Sequence, residues 1–175
     1  KEHEEERELV ARLTPERAPE FLAIAMQPIM SLHDPQGSLD FEVLLRARAP
    51  DGTVMPASRV ISVAEAHGRV GVIDRWVLNT VLEWIDASFA QLDRTNFITV
   101  NFSGASINDE QFMADAYAML RAHPRAASRL CAEITEGVAL TDINQTRRVL
   151  ERLREFDVKL ALDDFGAGYT SFMYL

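Results

Sequence analysis

Leu130-Cys131-Ala132-Glu133-Ile134-Thr135-Glu136 begins as an apolar strand and finishes on carboxylates. The same pattern stands on either side of it. Phe97-Ile98-Thr99-Val100 runs into Asn101, and Val158-Lys159-Leu160-Ala161-Leu162 runs into Asp163 and Asp164. Between these strands the apolar residues recur at helical spacing over 109–122 and 141–155. Strands alternating with helices imply right-handed βαβ crossovers and a parallel sheet. A carboxylate in the middle of a buried strand would be costly without a partner. At the carboxyl ends of barrel strands it is well placed, because polar residues from separate strands can converge there. The reading is therefore α/β, a (β/α)8 TIM-like barrel rather than a doubly wound sheet.

Upstream, Ile24-Ala25-Met26-Gln27-Pro28-Ile29-Met30 reads as a strand, with Pro28 placing it near an edge or bulge. The turn His33-Asp34-Pro35-Gln36-Gly37 leads into a second strand, Leu39 to Arg46. So short a connection predicts an antiparallel pair, and hence an antiparallel first strand in the barrel. Side chains alternate along a strand, so Glu42, Leu44 and Arg46 share a face. After the turn Pro50-Asp51-Gly52, helices are expected over 59–67, stopped by Gly68, and over 71–90, with Ile73, Trp76, Val77, Val81 and Trp84 on one face. Both tryptophans are read as core.

Residues 1 to about 18 are densely charged. Leu9, Val10 and Leu13 lie at helical spacing and predict a short exposed helix, and Thr14-Pro15-Glu16 reads as a cap with a proline in the first turn. His3-Glu4 lacks the second histidine of an HExxH site, since Arg7 stands there.

The 175 residues are 47% hydrophobic and 26% charged, which suits one globular domain. A formal net charge of -9 argues against a nucleic-acid polymer as partner. It leaves room for a small phosphorylated ligand bridged by cations. Cys131 is the single cysteine, so the chain contains no internal disulfide, as suits a reducing compartment. No apolar run is long enough to span a bilayer, and no signal-peptide core is visible. The expected setting is cytoplasmic, either alone or as the cytoplasmic part of a larger membrane-bound or multidomain protein, with no direct membrane insertion.

Glutamate, aspartate and an amide carbonyl are hard oxygen donors. Beside a single arginine they suit a divalent cation holding a phosphate, and Mg²⁺ or Mn²⁺ above zinc. Here the sequence resembles a known family. Glu42-Val43-Leu44 is similar to the signature Glu-Ala-Leu of EAL-type cyclic di-GMP phosphodiesterase domains, with Val43 for Ala. Gln27-Pro28-Ile29, Asn101-Phe102-Ser103, Glu133-Ile134-Thr135-Glu136 and Asp163-Asp164-Phe165-Gly166 match further family motifs in the family's order.

The resemblance divides the chain into a charged linker helix from an upstream region, 1–20, and a partial EAL-type barrel, 21–175. It implies metal ligation by Glu42, Asn101, Glu133, Asp163 and Asp164, which would hold two ions of Mg²⁺ or Mn²⁺. Glu42, Asp163 and Asp164 would be catalytic, Gln27 and Arg46 would bind substrate, and Glu136 would anchor the Asp163-Asp164-Phe165-Gly166 loop rather than bind metal. The implied activity is hydrolysis of cyclic di-GMP to linear pGpG in bacterial signalling, in a homodimer. The alternative is an inactive receptor that binds the nucleotide or relays a signal. Leu175 precedes the family's later Lys, Glu and Gln-Gly strand end, so about five of the eight strands are expected here and the chain alone is expected to be inactive. Ala47 and the stretch Arg59-Val60-Ile61-Ser62 depart from common family residues.

Asp164-Phe165-Gly166 also occurs in kinases, but no glycine-rich loop or His-Arg-Asp accompanies it. Gly166-Ala167-Gly168 lacks the third glycine of a dinucleotide loop. Cys131, which shares parity with Glu133, reads as a packed residue rather than a nucleophile, and His33, His67 and His123 have no assigned role.

Overall fold

The computed structural model describes residues 2–135 and 142–163. Glu136 and Asp164 lie outside the described residues. The chain runs α1 (Glu2–Arg12), α2 (Ala18–Phe21), β1 (Leu22–Ile29), β2 (Asp40–Arg48), β3 (Val54–Met55), α3 (Ala57–Ala66) and α4 (Val70–Ser88). It continues through β4 (Ile98–Asn101), α5 (Gly104–Ile107), α6 (Glu110–Ala122), α7 (Pro124–Ala127), β5 (Leu130–Thr135), α8 (Ile143–Glu155) and β6 (Lys159–Asp163).

The strand order is β1-β2-β4-β5-β6, with β3 paired to β2. β1 is antiparallel to β2, and β2, β4, β5 and β6 are mutually parallel. This is the TIM-barrel-like arrangement expected, left open among the described residues. Phe41 N donates to Phe97 O just before β4, so the polar backbone groups of Phe41 point away from β1. Its register partner Pro28 therefore turns its nitrogen to the outer edge, where a missing N–H leaves no ladder bond unmade.

The core lies between this sheet and the helices. Ile98, Val100, Leu130, Ala132 and Ile134 are buried on the helix side, against Leu78, Leu82, Phe112, Leu120, Val149 and Leu153. One residue along on the same strands, Thr99, Cys131 and Glu133 belong to the opposite face. α6 and α8 begin where Asp109 and Asp142 accept from Phe112 N and Gln145 N, side-chain caps that satisfy free helix amides.

Several expectations are corrected. α1 forms, but its apolar stripe is not exposed. Leu9 and Leu13 are buried, and Glu5–Arg59 (3.0 Å) and Glu6–His67 (2.9 Å) tie the helix to α3 and the turn after it. Thr14 caps a turn rather than a helix, its Oγ1 accepting from Arg17 N, and α2 starts only at Ala18. Trp76 and Trp84 are half-buried at the margin of the core. The deeper face of α4 is Ile73, Asp74, Val77, Leu78, Val81, Leu82 and Ile85. The short elements β3, α5 and α7 were not anticipated.

Candidate functional site

Register decides which side chains can meet. Gln27 pairs with Glu42, Glu42 with Thr99, Asn101 with Glu133, and Thr135 with Asp163. Paired residues point to the same side of a sheet. Gln27, Glu42, Asn101 and Glu133 therefore belong to one face, the one turned away from the helix layer, and Arg46 joins them by parity with Glu42. Asn101 and Glu133 are level neighbours. Glu42 lies one side-chain step below that level, and the backbone of Asp163 ends β6 beside Thr135.

Their surroundings differ. Glu133 is buried at 6% exposure, Glu42 is half-buried, and Asn101, Gln27 and Arg46 are exposed. The Arg46 guanidinium folds onto the carbonyl of Leu45 at 3.0 Å. Beneath Glu133 on the same face lies Cys131. Burial, then the nearby Glu133 charge, push its thiol up to about 11, although a hydrogen bond to Thr99 and the Lys159 charge work against them. That is an inert thiol at neutral pH, as the sequence reading holds.

A pocket of about 330 Å³ opens at the carboxyl ends of β2 and β4. Pairing between these strands stops at Glu42↔Thr99, although β2 continues to Arg48. Leu44, Arg46, Asn101 and Glu133 line the pocket, as do Ile61 and Glu65 of α3, Ile73 and Asp74 of α4, and Ser103. Its wall thus joins an apolar surface from the helices to the polar groups of the strand ends.

Asp74 is a functional candidate that sequence reasoning missed, and Ser103, quoted there only as part of a motif, is its partner. Asp74 is buried, and its Oδ2 accepts from Ser103 N (3.1 Å), Ser103 Oγ (2.7 Å) and Ser106 Oγ (2.6 Å). Burial raises the Asp74 carboxyl above the usual carboxylate range; the two serines pull it back and the charge of Glu65 adds to the rise. The available signal was Asp74 itself, an acid between apolar positions of a helix.

Among the described residues, no three His, Cys, Asp or Glu form a group able to hold a metal. Of the expected ligands, only Glu42 and Glu133 are carboxylates with described side chains; Asn101 is an amide. The donors fit a hard cation in kind, all oxygen, on one face and from neighbouring strand ends.

Fold and register together define an open TIM-barrel-type α/β domain with Glu42, Asn101 and Glu133 on one face of its parallel strands. The model of the EAL domain family matches residues 13–175, and the chain belongs to that family. It is 32% identical over 154 residues to the cyclic di-GMP phosphodiesterase NbdA of Pseudomonas aeruginosa, covering 88% of this chain and 20% of NbdA. It is 30% identical over 149 residues to the cyclic di-GMP phosphodiesterase PdeF of Escherichia coli, covering 85% of this chain and 19% of PdeF. The chain thus spans about a fifth of the length of these relatives. Among solved structures, the FimX EAL domain superposes with a TM-score of 0.76 at 25% identity, over 91% of this chain and 64% of that one. The PaMucR phosphodiesterase, solved as a c-di-GMP complex, gives 0.71 at 27% identity, over 86% of this chain and 62% of that one.

Proposed function

We propose that this chain carries part of the active site of a cyclic di-GMP phosphodiesterase, which hydrolyses the cyclic dinucleotide to linear pGpG in bacterial second-messenger signalling. The observation that carries the reading is the shared face: register brings Gln27, Glu42, Asn101 and Glu133 to one side of the sheet, with Asp163 ending the next strand. Phosphodiesterase relatives at 30% and 32% identity support the substrate class.

In this reading Glu42, Asn101, Glu133 and Asp163 hold divalent cations, and Asp164 serves a second ion. A pair of Mg²⁺ or Mn²⁺ ions would supply charge neutralisation and an activated water for an in-line displacement at phosphorus. The protein's own part is orientation. Arg46, at the pocket rim, pairs with a phosphate oxygen once released from the Leu45 carbonyl, and Gln27 stands across the strand pair from Glu42. Glu136 would anchor the Asp163-Asp164-Phe165-Gly166 loop. The apolar α3 and α4 wall gives a base a surface to lie on while the strand ends hold the phosphates. The active protein is a homodimer that acts on a soluble dinucleotide in the cytoplasm.

The test is turnover of cyclic di-GMP by the complete domain with Mg²⁺ or Mn²⁺. Formation of pGpG is expected, with loss of at least about a thousandfold on Glu42→Ala or on chelation of the metal. Tight binding without any cleavage would make the domain a receptor. Undiminished cleavage by Glu42→Ala would sink the metal assignment.

A further inference from the structure

We propose that Asp74 is a positioning residue for Asn101: from α4 it clamps the turn that follows β4 and so fixes where the Asn101 amide stands at the pocket. The inference rests on the reading above, in which Asn101 is a metal ligand.

Asn101 is the last residue of β4, and the chain must turn sharply after it to enter α5. Two contacts hold that turn. Phe102 N donates to Glu133 O at 2.9 Å, which ties the residue after Asn101 to the strand that carries Glu133. One residue further, Ser103 is held twice by the same Asp74 oxygen, through its backbone N–H and its hydroxyl. Ser106 donates to that oxygen as well, and the Ser103 hydroxyl accepts from Ser106 N as the cap of α5. Strand, turn and short helix are thus bound to one point on α4. Asn101 lies between that point and the β4 ladder, with little freedom to shift.

The setting argues for more than packing. Asp74 stands in the buried face of α4 beside Ile73, Val77 and Leu78, where a carboxylate is costly to place. Ser103 already caps α5 by itself, so the helix does not need an acid for its first turn. What the acid adds is a tie between α4 and the turn, beside a pocket that both Asp74 and Asn101 line. Groups one bond behind metal ligands commonly set ligand orientation, and their loss weakens metal binding about ten- to a hundredfold.

The experiment uses the complete domain. Mn²⁺ affinity is measured by titration calorimetry for wild type, Asp74→Ala, Asp74→Asn, Ser106→Ala and Glu42→Ala, with kcat, KM and the melting temperature of each. Asp74→Ala is expected to weaken Mn²⁺ binding roughly tenfold to a hundredfold and to lower kcat more than it raises KM. Asp74→Asn keeps an acceptor oxygen, and Ser106→Ala removes one donor; each is expected to weaken Mn²⁺ binding about threefold to tenfold with a near wild-type melting temperature. These two keep the test decisive if Asp74→Ala does not fold. Wild-type Mn²⁺ affinity in both, with Glu42→Ala unable to bind Mn²⁺, overturns the positioning role and leaves the metal site standing. Wild-type Mn²⁺ binding and turnover in Glu42→Ala overturns both.

Discussion

Asp40 shows how much one buried side chain can organise. It opens β2 at 6% exposure, and its Oδ1 accepts from Asn96 N (2.7 Å) and Phe97 N (3.1 Å) at the entry to β4. A third bond, from Ser38 Oγ, closes the set. Two strands far apart in sequence are thereby aligned just below Glu42. Asp40→Ala would leave two backbone N–H groups without their acceptor. The expected cost is about 2–4 kcal/mol of unfolding free energy, measurable by urea denaturation. Neither Asp40 nor Asp74 was legible in the sequence, and for one reason. Each accepts backbone N–H groups from residues 29 to 57 positions away, and composition reads such an acid as solvated. The shared face of Glu42 and Arg46 was legible because parity along a strand is a local property. That Asn101 and Glu133 join it comes from the register between strands, which the sequence does not print; Glu136 and Asp164 fall outside the described residues.

At the scale of elements, long regular segments could be read and short ones could not. α4 and α6 matched their periodicity to within a residue or two, whereas β3, with two residues, and α5, with four, are too short to show a period. The burial of Leu9 and Leu13 was missed because it depends on a partner: they are few among charges, yet both are buried where the N-terminal segment packs, with α1 against α3. The end of α8 is informative in another way. Asp157 has φ of 63°, Asp157 N donates to Arg154 O, and Val158 N donates to Leu153 O. That is a left-handed helix stop in which glycine is the relaxed residue. Asp157→Gly is therefore expected to stabilise the fold, by about 0.5–1 kcal/mol, seen as a raised denaturation midpoint with an unchanged slope. A loss of stability would mean that the aspartate side chain contributes a bond worth more than the backbone strain.

At the scale of the molecule, charge and fold act together. A net charge of -9 surrounds a site proposed for a doubly anionic ligand, so long-range attraction cannot supply the affinity. Cations at the site and local contacts must do so. Affinity for cyclic di-GMP, measured at saturating Mn²⁺, is expected to change by less than about threefold between 50 and 200 mM NaCl. A protein that relies on many phosphate contacts loses about a thousandfold or more over that range. A steep fall with salt would point instead to a cationic surface.

The parting of β2 from β4 has a further consequence, for the rate at which backbone protons trade with solvent. The amide of Phe41 bonds toward β4, so two and four residues on, the amides of Val43 and Leu45 point the same way. Pairing ends at Glu42↔Thr99, which leaves Leu45 N–H facing the pocket from inside the sheet. In D₂O this hydrogen should exchange orders of magnitude faster than those of Val100 or Ala132 in neighbouring strands. A central strand would then carry a labile, edge-like position beside Arg46. Slowing of that single amide when nucleotide is added would report occupancy of the pocket directly, even in a variant that cannot turn over.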